Sequence, residues 1–172
     1  AGITIPIGKI SSRDERLLRY TKRALHEGIK DIKPGVKITE VGRSIDKFVR
    51  MHGFVVNKFL QGHGIGEQMH EEPNIPMHYI GLEQIETIDK SGKKHYSSKE
   101  YDNIPLFYEG QIVCIEPHIT YKDDRGIRQS DGWTIKTRDG KKSAMAEHMV
   151  RVTAGGCQIL TTHLKESDYE NL

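Results

Sequence analysis

Two glutamates stand where apolar strand-like runs would not ordinarily place a charge. In Ile112-Val113-Cys114-Ile115-Glu116-Pro117, a period of two puts Glu116 on the face of Ile112 and Cys114. In Ala144-Met145-Ala146-Glu147-His148-Met149-Val150, it puts Glu147 on the face of Met145 and Met149. A buried carboxylate costs several kcal/mol, on the order of a domain's whole stability margin, unless a cation compensates it. The alternative is that each glutamate faces solvent or pairs with an arginine. A third stretch, Gly62-His63-Gly64-Ile65-Gly66 followed by Met69-His70-Glu71, brings two histidines beside a glycine-rich turn that would let His63 approach a ligand closely. Neutral imidazole and carboxylate with no thiolate suit Mn, Fe, Co or Zn. His118 and His148 flank the glutamates and are placed either to orient them or simply to fill a strand. His26, His52, His95 and His163 fall on helix faces or in polar stretches and read as surface.

The elements that must hold these residues follow from periodicity. Residues 1–10 alternate with isoleucine around Pro6 and read as an extended lead-in. Ser12 and Glu15 stand at capping-box spacing. Leu17, Leu18, Thr21, Leu25, Gly28 and Ile29 then mark one helix face up to Lys33-Pro34-Gly35. A second helix is expected from about Thr39 to Gly53, with Val41, Ile45, Phe48 and Val49 as its stripe. Strands are expected at Phe54–Leu60, Gln111–Tyr121, Trp133–Thr137 and Ser143–Thr153, the last two joined by a turn at Arg138-Asp139-Gly140. Residues 80–105 read as a hairpin or surface insertion, and 165–172 as a loose tail. Two helices followed by antiparallel strands make one α+β domain, 1–172.

Composition narrows the partners. The chain has 172 residues, with 26 Lys+Arg against 24 Asp+Glu. That balance gives no case for nucleic acid or a membrane surface. No apolar run reaches membrane length, so a cytoplasmic protein is the expectation. Cys114 and Cys157 make no disulfide framework and lack zinc-site spacing, and Cys114 reads as core. Only 35% of residues are hydrophobic, which is lean for a self-sufficient core.

The runs GHGIGEQMHEEPNIP, IVCIEP and DGWTIKTRDGKKSAMAEHMVRVT, in that order, resemble the methionine aminopeptidases of the pita-bread fold from about Ser11 to Thr161. The related prolidases share only the GHG and IEP elements. The short interval from Glu116 to Glu147 resembles type I enzymes, since type II members carry a long helical insertion there, and residues 80–105 are longer than most type I members have. The resemblance implies two helices on a curved antiparallel sheet, and two divalent ions (Co, Mn, Fe or Zn). His63, Glu116 and Glu147 would be metal ligands, with Glu147 bridging and Glu116 also shuttling the proton. His70 would bind substrate at the scissile amide, and Met69 and Trp133 would line or gate the methionine pocket. The substrate would be the N-terminal methionine of peptides or nascent proteins. The alternatives are a related Xaa-Pro peptidase and a non-catalytic pita-bread binding module. The family's first half supplies two further Asp ligands, separated by ten residues, and another histidine. No two Asp here stand eleven positions apart. The resemblance therefore implies the C-terminal half of the fold. That half would be a fragment, a chain completed by a complementary chain, or a degenerate relative.

Overall fold

The computed structural model describes residues 1–80 and 104–162, and the backbone of two strands between them, 85–88 and 94–97. The expected tail at 165–172 and His163 lie outside the described residues, as do the side chain of His95 and most of the expected insertion. In chain order the elements are β1 (Gly2–Ile3), α1 (Ser12–Ile29), α2 (Thr39–Met51), β2 (Val55–Val56), β3 (Gly62–Gly64), β4 (Glu71–Ile75), β5 (Ile85–Ile88), β6 (Lys94–Ser97), β7 (Ile112–Ile115), β8 (His118–Thr120), β9 (Gly126–Arg128), β10 (Ile135–Thr137), β11 (Ser143–Thr153) and β12 (Gly156–Ile159). The α+β reading is borne out.

Helix α1 starts one residue earlier than the capping-box spacing suggests. Ser11 is the N-cap, its Oγ accepting from the Asp14 amide at 3.1 Å. Its buried stripe is Leu17, Thr21, Ala24, Leu25, Gly28 and Ile29. At Gly28 a Cβ would lie 2.6 Å from Ile45 Cδ1, so the missing side chain lets α2 pack close. Helix α2 buries Val41, Ile45 and Val49 on the same core.

The main sheet runs β2-β8-β11-β7-β3-β4, with β1 and β12 also on β11. All its pairs are antiparallel. Strand β11 is its spine. Residues 144, 146, 148, 150 and 152 are buried on the helix side, while 143, 145, 147, 149 and 151 are not. One face is thus sealed by the helices and the other stays open. Among the described residues no helix is long and apolar enough to cross a membrane.

Three expected strands came out differently. Phe54–Leu60 shrinks to β2, because Asn57 Oδ1 takes the Phe59 amide at 2.8 Å and Lys58 N turns to Asp124 O at 2.7 Å. Gln111–Tyr121 is interrupted at Glu116-Pro117, where proline has no N–H for the ladder. Trp133–Thr137 narrows to β10, and its partner is β9 rather than β11. The turn at Arg138-Asp139 does form, Gly140 N bonding Thr137 O at 3.0 Å, with Gly140 at φ +67°. Strands β5 and β6 pair antiparallel, as a hairpin at 80–105 requires.

Candidate metal centre on the open sheet face

The register of β11 brings the two glutamates together. Ile115 pairs with His148 before Glu116, and His118 pairs with Met145 after it. The offset is the same on both sides of Pro117, so Glu116 stands directly across the ladder from Glu147. Residues directly opposite have Cβ atoms roughly 5 Å apart. Both side chains are on the open face, about a fifth exposed: 19% for Glu116 and 21% for Glu147.

His63 reaches this pair from β3, where it lies opposite Cys114. Its neighbours are glycines for a steric reason. A Cβ at Gly62 would lie 2.4 Å from Cys114 O, and one at Gly64 would lie 2.2 Å from Glu72 O. Neither has positive φ. The glycine-rich run therefore permits close strand packing at His63, in place of the expected sharp turn. His63 Nδ1 lies 2.8 Å from the Gly64 carbonyl. A carbonyl only accepts, so Nδ1 carries the hydrogen. In the neutral ring Nε2 is then a bare lone pair, and it faces Glu116 Oε1 at 3.2 Å. Two lone pairs converging in a half-buried site call for a positive centre between them. The other oxygen of Glu116, Oε2, lies 3.6 Å from His118 Nε2. Glu147 Oε2 lies 3.7 Å from the α-amino group of Ala1.

Sequence reasoning placed Cys114 in the core, and it is buried, but at the floor of this site. Burial, then the Glu147 and Glu116 charges and a hydrogen bond to Glu147, push its thiol up to about 11. The thiol thus stays protonated and is not a thiolate ligand. The signal was present, since period two puts Cys114 on the face of Glu116.

His70 is exposed, and its ring centroid is 4.4 Å from that of His63. Met69 and Trp133 are 71% and 83% exposed, so neither is packed against the carboxylates. Trp133 lies in a bend rather than the expected strand. Asp131 Oδ1 accepts from the amides of Trp133 and Thr134, at 3.0 and 2.8 Å, and holds that bend. His148 does not join the site. It follows Glu147 directly and so points through the opposite face, 4% exposed. There its Nδ1 meets Thr161 Oγ1 at 3.0 Å, and burial and the His26 charge depress its pKa. His26 and His52 are half-buried rather than surface groups. His26 lies against His148, and His52 lies tilted against Tyr20 with its ring centroid 4.1 Å away.

The donor set, two carboxylates and an imidazole, is the kind that borderline divalent ions take. It fits in kind but not in number. Among the described residues no three His, Cys, Asp or Glu side chains are grouped to hold an ion by themselves. A cavity of about 1260 Å³ lies along α1 and the lead-in between Arg19, Lys22, Lys30 and Cys157, and none of His63, His70, Glu116 or Glu147 lines it. Both cysteines are free.

The pattern of metallopeptidase family M24 matches residues 1–154. Methionine aminopeptidase of Escherichia coli is 37% identical over 155 residues, 90% of this chain and 51% of the relative. That of Aquifex aeolicus is 32% identical over 161 residues, 94% of this chain and 55% of the relative. The crystal structure of methionine aminopeptidase from Thermotoga maritima superposes with a TM-score of 0.73 at 31% identity, covering 90% of this chain and 54% of that one. Prolidase from Pyrococcus furiosus, at 18% identity and a TM-score of 0.62, shares the fold. The resemblance read from the motifs is thus borne out. The chain spans about half the length of the curated relatives it matches.

Proposed function

Because this chain belongs to metallopeptidase family M24, we propose that its open sheet face is part of the centre of a metal-dependent aminopeptidase that removes methionine from the N-termini of peptides and nascent proteins. The observation that carries the reading is the placing of Glu116 directly across from Glu147, with His63 Nε2 at 3.2 Å from Glu116. The similarity to methionine aminopeptidases supports the choice of substrate.

In this reading His63, Glu116 and Glu147 would hold divalent metal, two ions drawn from Co, Mn, Fe or Zn. Metal bound there would supply polarisation of the scissile carbonyl and a more acidic water. The chain's own groups do the rest. Glu116 takes the proton of the attacking water at a carboxylate oxygen and returns it to the leaving amine. His70, its ring tilted beside that of His63, donates to the substrate at the scissile amide. Met69 and Trp133 offer a soft, apolar wall to the methionine side chain. Their exposure leaves that wall unfinished in the described residues.

The test is release of methionine from Met-Ala-Ser by the full-length protein, beside Leu-Ala-Ser and Xaa-Pro peptides, with and without chelator. The reading expects methionine release that stops on chelation and returns with Co²⁺ or Mn²⁺. Preferential cleavage of Xaa-Pro peptides would move the protein to the prolidase chemistry. Peptide binding with no turnover under any metal would make it a binding module.

A further inference from the structure

We infer that His118 is a positioning residue for Glu116, limiting the rotation of its carboxylate by setting its imidazole Nε2 against Oε2, 3.6 Å away. The inference rests on the reading of Glu116 as a metal-binding proton carrier. Glu116 lies between two imidazoles, with His63 Nε2 at 3.2 Å from Oε1 and His118 Nε2 at 3.6 Å from Oε2. A glutamate on an open sheet face has three rotatable side-chain bonds and would otherwise sample several orientations. Held from one side only, it could swing its free oxygen into solvent. His118 is placed to prevent this, and its own base is rigid. Its backbone pairs with Met145 of β11 on one side, and its carbonyl accepts from Asn57 N at 2.8 Å on the other. Pro117 fixes the backbone between the two residues. The His118 side chain is itself 22% exposed, covered enough to be steered and open enough to face the cleft. The two histidines therefore do different things. His63 presents a lone pair, because Gly64 O occupies its Nδ1–H. His118 sets its Nε2 3.6 Å from Oε2, on the other side of the carboxylate from His63, so that an Nε2–H there would favour the rotation that keeps Oε1 directed at the space that His63 faces.

The experiment compares wild type, His118→Leu and His118→Gln in the full-length protein. Co²⁺ affinity is read from visible absorption, and kcat and KM are read on Met-Ala-Ser. Removing a group that orients a metal ligand costs roughly 10–100-fold in metal affinity or activity. His118→Leu is expected to weaken Co²⁺ binding by that factor and to lower kcat with KM little changed. His118→Gln, which keeps an N–H donor, is expected to recover most of both. A His118→Leu variant that is folded and binds Co²⁺ like wild type overturns the inference. So does a His118→Gln variant as impaired as His118→Leu, since the effect would then be packing. Should wild type bind Co²⁺ yet never cleave methionine peptides, the proposed activity fails. The affinity ranking of the three proteins would still decide the role of His118. Wild type that binds no Co²⁺ overturns both.

Discussion

Gly64 has no room for a side chain, and this is what lets His63 meet Glu116. A Cβ at Gly64 would stand 2.2 Å from the Glu72 carbonyl, an atom of the neighbouring strand that cannot rotate away. Gly64→Ala is therefore expected to cost about 1–3 kcal/mol, the usual range for overpacking, seen as a lower urea midpoint. It should also weaken metal binding, because β3 must shift and carry His63 with it. Glu147 presents the opposite case. Like charges directly across an antiparallel ladder destabilise by roughly 0.2–1 kcal/mol, and Glu147 faces Glu116 in that way. Glu147→Gln is expected to raise the urea midpoint of the metal-free protein by that amount. The same variant should lose Co²⁺ affinity by at least the roughly 10–100-fold that removing an outer partner of a metal ligand costs. A variant that bound Co²⁺ as wild type does would remove Glu147 from the centre. Both outcomes together would mark the carboxylate pair as a like-charge juxtaposition that the proposed metal offsets.

Helix α1 is fastened to the sheet at its first turn. Asp14 accepts from Lys142 Nζ at 2.7 Å, from the Tyr121 hydroxyl and from Ser11 Oγ at 2.8 Å, tying the helix start to β11 and the end of β8. The Lys142 hydrogen bond, then those of Tyr121 and Ser11, hold the Asp14 carboxyl well below the ordinary aspartate range. The folded value lies below the unfolded one, near 4. The folded state thus favours the ionised form. Its stabilising contribution is complete above the unfolded value and is lost as pH falls below it towards the folded value. Asp14→Asn is expected to lower the urea midpoint at pH 7, and the gap to wild type should close as the pH falls below about 4. Urea melts of both proteins from pH 7 to pH 2.5 check this. A gap that stays constant would mean that Asp14 acts through helix capping alone. The anchor matters to the site because α1 packs on the buried face of β11, whose other face carries Glu147.

At the scale of the molecule, the open face carries the three proposed ligands, His63, Glu116 and Glu147. Since no group of three ligands closes around an ion among the described residues, these 172 residues by themselves are expected to bind Co²⁺ or Mn²⁺ weakly. They should cleave Met-Ala-Ser far more slowly than the 1–10³ per second of ordinary enzymes. Calorimetric titration and a peptide assay on the isolated chain measure both. Tight binding or ordinary turnover would show that groups beyond His63, Glu116 and Glu147 complete the centre. Much of this arrangement was legible in the residues. Side-chain period depends only on local backbone geometry, so the stripes of α1 and α2 and the face of each glutamate could be read directly. The same rule already separates His148 from Glu147, since neighbours on a strand point to opposite faces. It also puts Cys114 beside Glu116. The motif order carried the family. What local geometry does not contain is register. Glu116 and Glu147 are 31 positions apart, and only the hydrogen-bonded ladder of β7, β8 and β11 sets them opposite one another. The pairing of β10 with β9, the exposure of Trp133 and Met69, and the two imidazoles on either side of Glu116 were decided in the same way. Each depends on which distant backbone groups meet, and that choice is made by the packing of the whole sheet.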